Sequence, residues 1–298
     1  MNITINKILD NLDEKKDSSI IKLLSHNRNK MVFFSANAYY MRTPNGGLKV
    51  LTGLLPSLHK CFWPKFNYYS ILSKTKKNGK ASGSSVSHSY YGKIRGTIVH
   101  KQLHDYLFFD KTYFNKIHTS IHPWTKRIIE EIIKKGWIPL VSEFDIFDSK
   151  ANIGTSVDMV CYSKKDSKII LIELKTGYKN VFETQHGYMS GCLKKIMPLS
   201  FEYCATLQLA TAMLLITKNH EIYLNEMEGH VIQINDNEFN FYKISNDFLL
   251  DNGKNIYNNL VKSYVSTIKL KKILKKEGKN KRSLNQINKT PIKRVSWK

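Results

Sequence analysis

Over residues 137–175 apolar and polar positions alternate with a period of two, and the run divides into three strands. Just before it, WTKRIIEEIIKKG sets Trp124, Ile128, Ile129, Ile132 and Ile133 at helical spacing, with Gly136 placed to end the helix. An earlier helix starts near Arg95 (RGTIVHKQLHDYLFF). After the strands, residues 200–217 (SFEYCATLQLATAMLLIT) are apolar on nearly every face, the mark of a buried helix. Two short strands follow, near 229–234 and 239–244. An amphipathic helix then carries Ile256, Tyr257, Leu260, Val261, Tyr264, Val265 and Ile268. Residues 1–30 read as a short amphipathic helix or a poorly ordered arm. Residues 31–70 are rich in aromatics, among them Tyr39, Tyr40, Phe62 and Trp63, which are either core packing or a base-stacking platform. Residues 73–89 (SKTKKNGKASGSSVSHS) read as a flexible basic loop.

The most informative stretch is GTSVDMVCYSKKDSKIILIELKTG, residues 154–177. Its polar middle, Lys164 to Ser167, lies between two alternating runs and predicts a hairpin that pairs Ser163 with Lys168. That register sets Asp158 directly opposite Glu173, with Lys175 on the same side. The other face, with Val157, Met159, Cys161, Ile170, Ile172 and Leu174, is wholly apolar and faces a core. Two opposed carboxylates repel one another, and a divalent cation resolves the conflict. Asp158, Glu173 and the Leu174 carbonyl form an oxygen-rich set suited to Mg²⁺ or Mn²⁺. Lys175 is placed to serve a water or a phosphoryl oxygen. A surface Asp–Lys–Glu ion-pair network is the plainer reading of the same residues.

Composition adds a partner. The 298 residues hold 47 Lys+Arg against 24 Asp+Glu, a net charge of +23, which points to a polyanion. The last 30 residues contain twelve Lys/Arg and one acid, Glu277, so residues 269–298 read as a basic, disordered tail. No apolar run approaches the ~18–20 residues of a membrane span. Residues 1–20 lack an apolar h-region, so no secretion signal is expected, and they are too acidic for a usual mitochondrial transit peptide. Four scattered cysteines without a CxxC pair indicate reduced thiols, and hence an intracellular, reducing compartment.

The Asp, the hairpin and the Glu-x-Lys strand resemble the PD-(D/E)XK nuclease superfamily, in particular its RecB-like and lambda-exonuclease-like branch. Further features are similar: Gly96 and His100 opening the upstream helix, Glu143 on the strand before the hairpin, Gly154 and Thr155 ahead of Asp158, and Gln208 in the helix after Thr176. Four residues after Gln208, where the branch often has Tyr, stands Ala212. The resemblance spans roughly residues 95–217. It implies an α/β fold, a restriction-endonuclease-like core with a mixed central sheet flanked by helices. The core would span 95–268, with residues 1–94 as an N-terminal elaboration. It implies a Mg²⁺- or Mn²⁺-dependent deoxyribonuclease, most simply an exonuclease of replication, recombination or repair. Asp158, Glu173 and Lys175 would be catalytic; Asp158, Glu173, Leu174, His100 and Glu143 would bind metal. Gln208, Thr176, Tyr178 and Lys179 would contact substrate. The cysteine distribution does not match the quartet of the family's iron–sulfur members, so no cluster is expected. The expected partner is DNA, in the nucleus or another DNA-containing compartment, with a homo-oligomer conceivable by analogy alone. A structure-selective endonuclease, an RNA-directed nuclease and a non-catalytic nucleic-acid-binding module remain alternatives. A zinc site on His100 and His104 lacks a third ligand in the sequence.

Overall fold

The computed structural model describes residues 17–28, 32–35, 38–42, 45, 47–63, 85–108, 111–117, 119–178 and 182–287. The three strands of the alternating region are β4 (Trp137–Asp148), β5 (Ile153–Ser163) and β6 (Lys168–Thr176). The β5–β6 hairpin has the expected register, from Ser163 opposite Lys168 to Met159 opposite Ile172. A parallel partner, β7 (Met227–Ile234), lies along β6 and is followed by antiparallel β8 (Phe239–Lys243). A meander of β1 (Val32–Ser35), β2 (Ala38–Arg42) and β3 (Leu48–Gly53) joins the same sheet. The result is an eight-stranded mixed sheet in the order β1-β2-β3-β5-β6-β7-β8, with β4 paired to β5. The expected α/β class, a mixed sheet flanked by helices, is what the chain adopts.

Helices cover both faces. Val99 and Leu103 of α3 (Ser85–Phe108) and Trp124, Ile128 and Ile132 of α5 (Pro123–Lys134) bury Met159, Cys161, Ile170, Ile172 and Leu174. On the opposite face, where the register sets Asp158, Glu173 and Lys175, Val160, Tyr162, Ile169 and Leu171 are buried too. They lie beneath α6 (Phe201–His220), α2 (Leu54–Phe62) and the first half of α7 (Asn246–Ile287). A strand buried on both sides reads as a continuous apolar run, and the Ile169–Ile172 stretch of β6 has that form. Within β6, Glu173 and Lys175 place charge on the α6 side. The short helices α1 (Ser18–Arg28) and α4 (Lys111–Ile117) complete the chain.

Two elements differ from expectation. Helix α3 begins at Ser85 rather than near Arg95, so residues 85–89 of the anticipated loop are helical. No proline interrupts the segment, and a helix anchored by Val99 and Leu103 extends backwards at little cost once nucleated. Residues 73–84 lie outside the described residues. Helix α7 continues to Ile287 through the segment read as a disordered tail, whose Lys, Leu, Ile, Glu and Arg are mostly compatible with helix. Residues 288–298 lie outside the described residues.

Candidate active site

The central sheet forks at β5. Along one edge β5 pairs with β4. Along the other, residues 159–163 pair with β6 and residues 153–154 with β3. Among the described residues no strand pairs with residues 155–158 on that second edge. Asp158 sits at the mouth of this fork. Its pairing to β4 is broken as well: Ser142–Met159 and Phe144–Val157 are ladder partners, but Glu143 and Asp158 between them are not. Glu143 has φ 51°, in the left-handed region that a side chain rarely adopts. Such a backbone costs on the order of 1–3 kcal/mol and persists where its surroundings hold it.

The ladder to β6 therefore stops one pair short of the expected Asp158–Glu173 opposition. In its place the Asp158 carboxylate accepts the Leu174 backbone N–H at 2.6 Å. The freed edge lets helix α3 approach. Gly96 permits this, because a Cβ there would lie 2.6 Å from Thr176 Oγ1. One turn further along, His100 Nδ1 stands 3.7 Å from Asp158 and 3.8 Å from Glu143. His100, Glu143 and Asp158 each present a donor atom within 4.8 Å of the others.

Behind this open group lies a closed one. Lys175 Nζ donates to Glu173 Oε1 at 2.6 Å and to Gln208 Oε1 at 3.4 Å. Gln208 Nε2 donates to the same Glu173 oxygen at 2.9 Å. The Glu173 side chain is 5% exposed, against 48% for Glu143. Burial, with the nearby Asp158 charge, pushes Glu173 up to about 7 despite the pull of Lys175. Burial likewise raises Asp158, opposed by His100 and Lys175. For Lys175 burial opposes the charge, but Glu173 and Asp158 outweigh it and hold the ammonium well above its ordinary range. Burial alone would lower His100; Glu143 and Asp158 raise it above 6.5. Glu143 falls below its ordinary value because the His100 interaction outweighs burial.

Of the residues singled out in the sequence, the structure brings together His100, Glu143, Asp158, Glu173, Lys175 and Gln208. Leu174 supplies its N–H to Asp158 and buries its side chain against α3 and α5. Thr176 packs on Gly96 at the rim. Tyr178 follows on the α6 side, its ring against Phe182 and Phe201. Its carbonyl accepts from the buried amides of Gln233 and Asn235, at 2.9 and 3.1 Å. Asn235 also shapes the β7–β8 turn by accepting from the N–H groups of Asn237 and Glu238. Asp236 in that turn pairs with Arg95 of α3 at 3.2 Å, so one turn ties down both walls of the site. Lys179 lies outside the described residues. Sequence reasoning missed Ser156, which bonds Glu143, and the contact of Tyr39 with Ser156; Gly154, noted only as part of a motif, was the available signal.

Two carboxylates and an imidazole, with no lysine or arginine ion-paired to Glu143 or Asp158 among the described residues, form a donor set that could hold a metal ion. A scan against protein-family models finds no match for this chain, and a search of curated proteins finds none. No helix among the described residues is long and apolar enough to cross a membrane.

Proposed function

We propose that this chain is a divalent-metal-dependent nuclease of the PD-(D/E)XK type that hydrolyses phosphodiester bonds of DNA, acting at ends in the exonucleolytic mode the resemblance implies. One observation carries the reading: at a single fork in the sheet, an open His–Glu–Asp group lies beside a buried lysine already charged and oriented. His100, Glu143 and Asp158 would hold the cation, with Glu173 behind them. When bound, Mg²⁺ or Mn²⁺ supplies a Lewis acid and lowers the pKa of its water. Lys175, fixed by Glu173 and Gln208, offers a preorganised positive charge to a phosphoryl oxygen without reorienting during reaction. Glu173, near 7, is poised to hold or release a proton at its carboxylate around neutral pH. The net charge of +23 supplies salt-sensitive attraction to the phosphate backbone.

The test is digestion of end-labelled linear DNA beside covalently closed circular DNA, with Mg²⁺, Mn²⁺ or EDTA. We expect metal-dependent loss of linear DNA only, reduced at least ~10³-fold in Asp158→Asn and Lys175→Ala. Nicking of the circle would replace the exonuclease by an endonuclease. Tight DNA binding without cleavage of either substrate would overturn the enzyme reading.

A further inference from the structure

We propose that Tyr39, on the N-terminal meander, is a positioning residue for Glu143 and acts through Ser156, so that strands β2 and β3 form part of the metal centre. This inference rests on the reading of His100, Glu143 and Asp158 as cation ligands.

The chain of contacts has a defined direction. Ser156 Oγ donates to Glu143 Oε2 at 3.1 Å. Tyr39 Oη lies 3.1 Å from the same Ser156 oxygen. A serine hydroxyl has one proton, and Glu143 takes it, so the Tyr39 hydroxyl is the donor to Ser156. The carboxylate is thus held at Oε2, while Oε1 faces His100 at 3.8 Å. Both oxygens are assigned, and the plane of the carboxylate with them.

Three further features of the fold serve this arrangement. Gly154 leaves the space that Tyr39 occupies: a Cβ there would meet Tyr39 Cβ at 2.6 Å and Cγ at 2.8 Å. Leu51 and Met41 of the meander and Phe147 of β4 form one small apolar cluster with the Tyr39 ring. The parallel pairing of Gly53 with Gly154 fixes the meander against β5 at this level. The strained backbone of Glu143 turns its side chain out of the β4 ladder, where only Ser156 and His100 hold it among the described residues. Hydrogen-bond partners of metal ligands commonly change metal affinity 10–100-fold when removed.

The experiment is Mn²⁺ titration by calorimetry on the full chain, comparing wild type, Tyr39→Phe, Ser156→Ala and the double variant. Tyr39→Phe keeps the ring on Gly154 and removes only the donor, so its melting temperature in EDTA should match wild type. We expect about 10-fold weaker Mn²⁺ binding in each single variant, at the low end for such partners. The double variant should bind no more weakly than Ser156→Ala, because the tyrosine acts through the serine. Cleavage by Tyr39→Phe should recover at saturating Mn²⁺, which a merely structural defect would not do. Wild-type affinity in Tyr39→Phe overturns this inference alone, as does a double variant whose losses multiply. A wild-type protein that binds no Mn²⁺ overturns it together with the metal reading on which it rests.

Discussion

The two halves of the site are both built from carboxylates, yet they solve opposite problems. Glu173 is buried, and its charge is answered from within the chain by Lys175, with Gln208 bridging the two. Glu143 and Asp158 lie at the break in the sheet and, among the described residues, share the ring of His100 between them. The first group is complete and rigid. The second is held in place but less fully compensated: among the described residues Glu143 has His100 as its ion-pair partner, and Asp158 feels Lys175 without a direct contact to it. The proposed nuclease, with a fixed cation and an exchangeable one, would need this division, since the lysine would otherwise occupy the place proposed for the metal. Gln208 supports it by giving the ammonium a second acceptor on the buried side, away from Glu143.

The sharpest way to break the comparison is to remove the internal cation. Lys175→Met should leave Glu173 buried without its counter-charge and cost about 3 kcal/mol of stability at pH 8, the usual order for half a buried ion pair. Activity should fall by at least ~10³-fold. The stability loss should shrink toward pH 5, where Glu173 takes up a proton. Urea denaturation at the two pH values reads this directly, and an equal loss at both would show that the Glu173–Lys175 pair does not carry the cost.

A smaller effect sharpens the other half. Glu173 has a folded pKa of about 7, above its ordinary 4.5, so the folded state binds the extra proton between those values. Its contribution to stability therefore falls as pH rises through that window. His100, raised above 6.5, also contributes stability that is lost as pH rises through its folded value. A divalent cation reverses the trend because it favours deprotonated ligands. At 100 times its Kd, Mn²⁺ should add about 2.7 kcal/mol at pH 8, or about 4 °C in melting temperature, and much less at pH 5. Asp158→Asn should abolish the shift, whereas Lys175→Met should keep it. Thermal melts with Mn²⁺ or EDTA decide the point, and a shift that survives Asp158→Asn would place the cation elsewhere.

Much of the buried half was legible in the sequence. The polar turn Lys164–Lys165–Asp166–Ser167 and the alternation on either side set the hairpin register, and the Glu-x-Lys spacing set Lys175 beside Glu173. The open half was only partly legible. Alternation predicts unbroken pairing, so it placed Asp158 across from Glu173. It could not show that the carboxylate would take the Leu174 N–H and end the ladder there. Glu143 leaves its ladder by a positive φ that no residue type announces. Tyr39 lies 117 positions from Ser156, and nothing local to either position encodes their contact. Helix α3 extends back to Ser85 because packing at Val99 and Leu103 anchors it, although its Gly/Ser-rich approach favours a loop.

The least disruptive test lies at the seam between the halves. Among the described residues Gln208 hydrogen-bonds to Glu173 and Lys175, and to neither Glu143 nor His100. Gln208→Leu keeps a similar volume beneath the sheet and removes two hydrogen bonds, each worth about 1 kcal/mol net. The lysine stays paired to Glu173 yet loses the contact that aims it. Turnover should therefore fall about 10-fold at saturating DNA, a barrier increase of about 1.4 kcal/mol, while KM for DNA and the Mn²⁺ affinity stay unchanged. Measuring kcat, KM and calorimetric Mn²⁺ binding on one preparation separates the outcomes. A fall in Mn²⁺ affinity would mean that the two halves share their ions and that the division between a fixed and an exchangeable cation is wrong. Unchanged affinity with lowered kcat is what that division requires, because Gln208 then acts only on the charge the chain supplies itself.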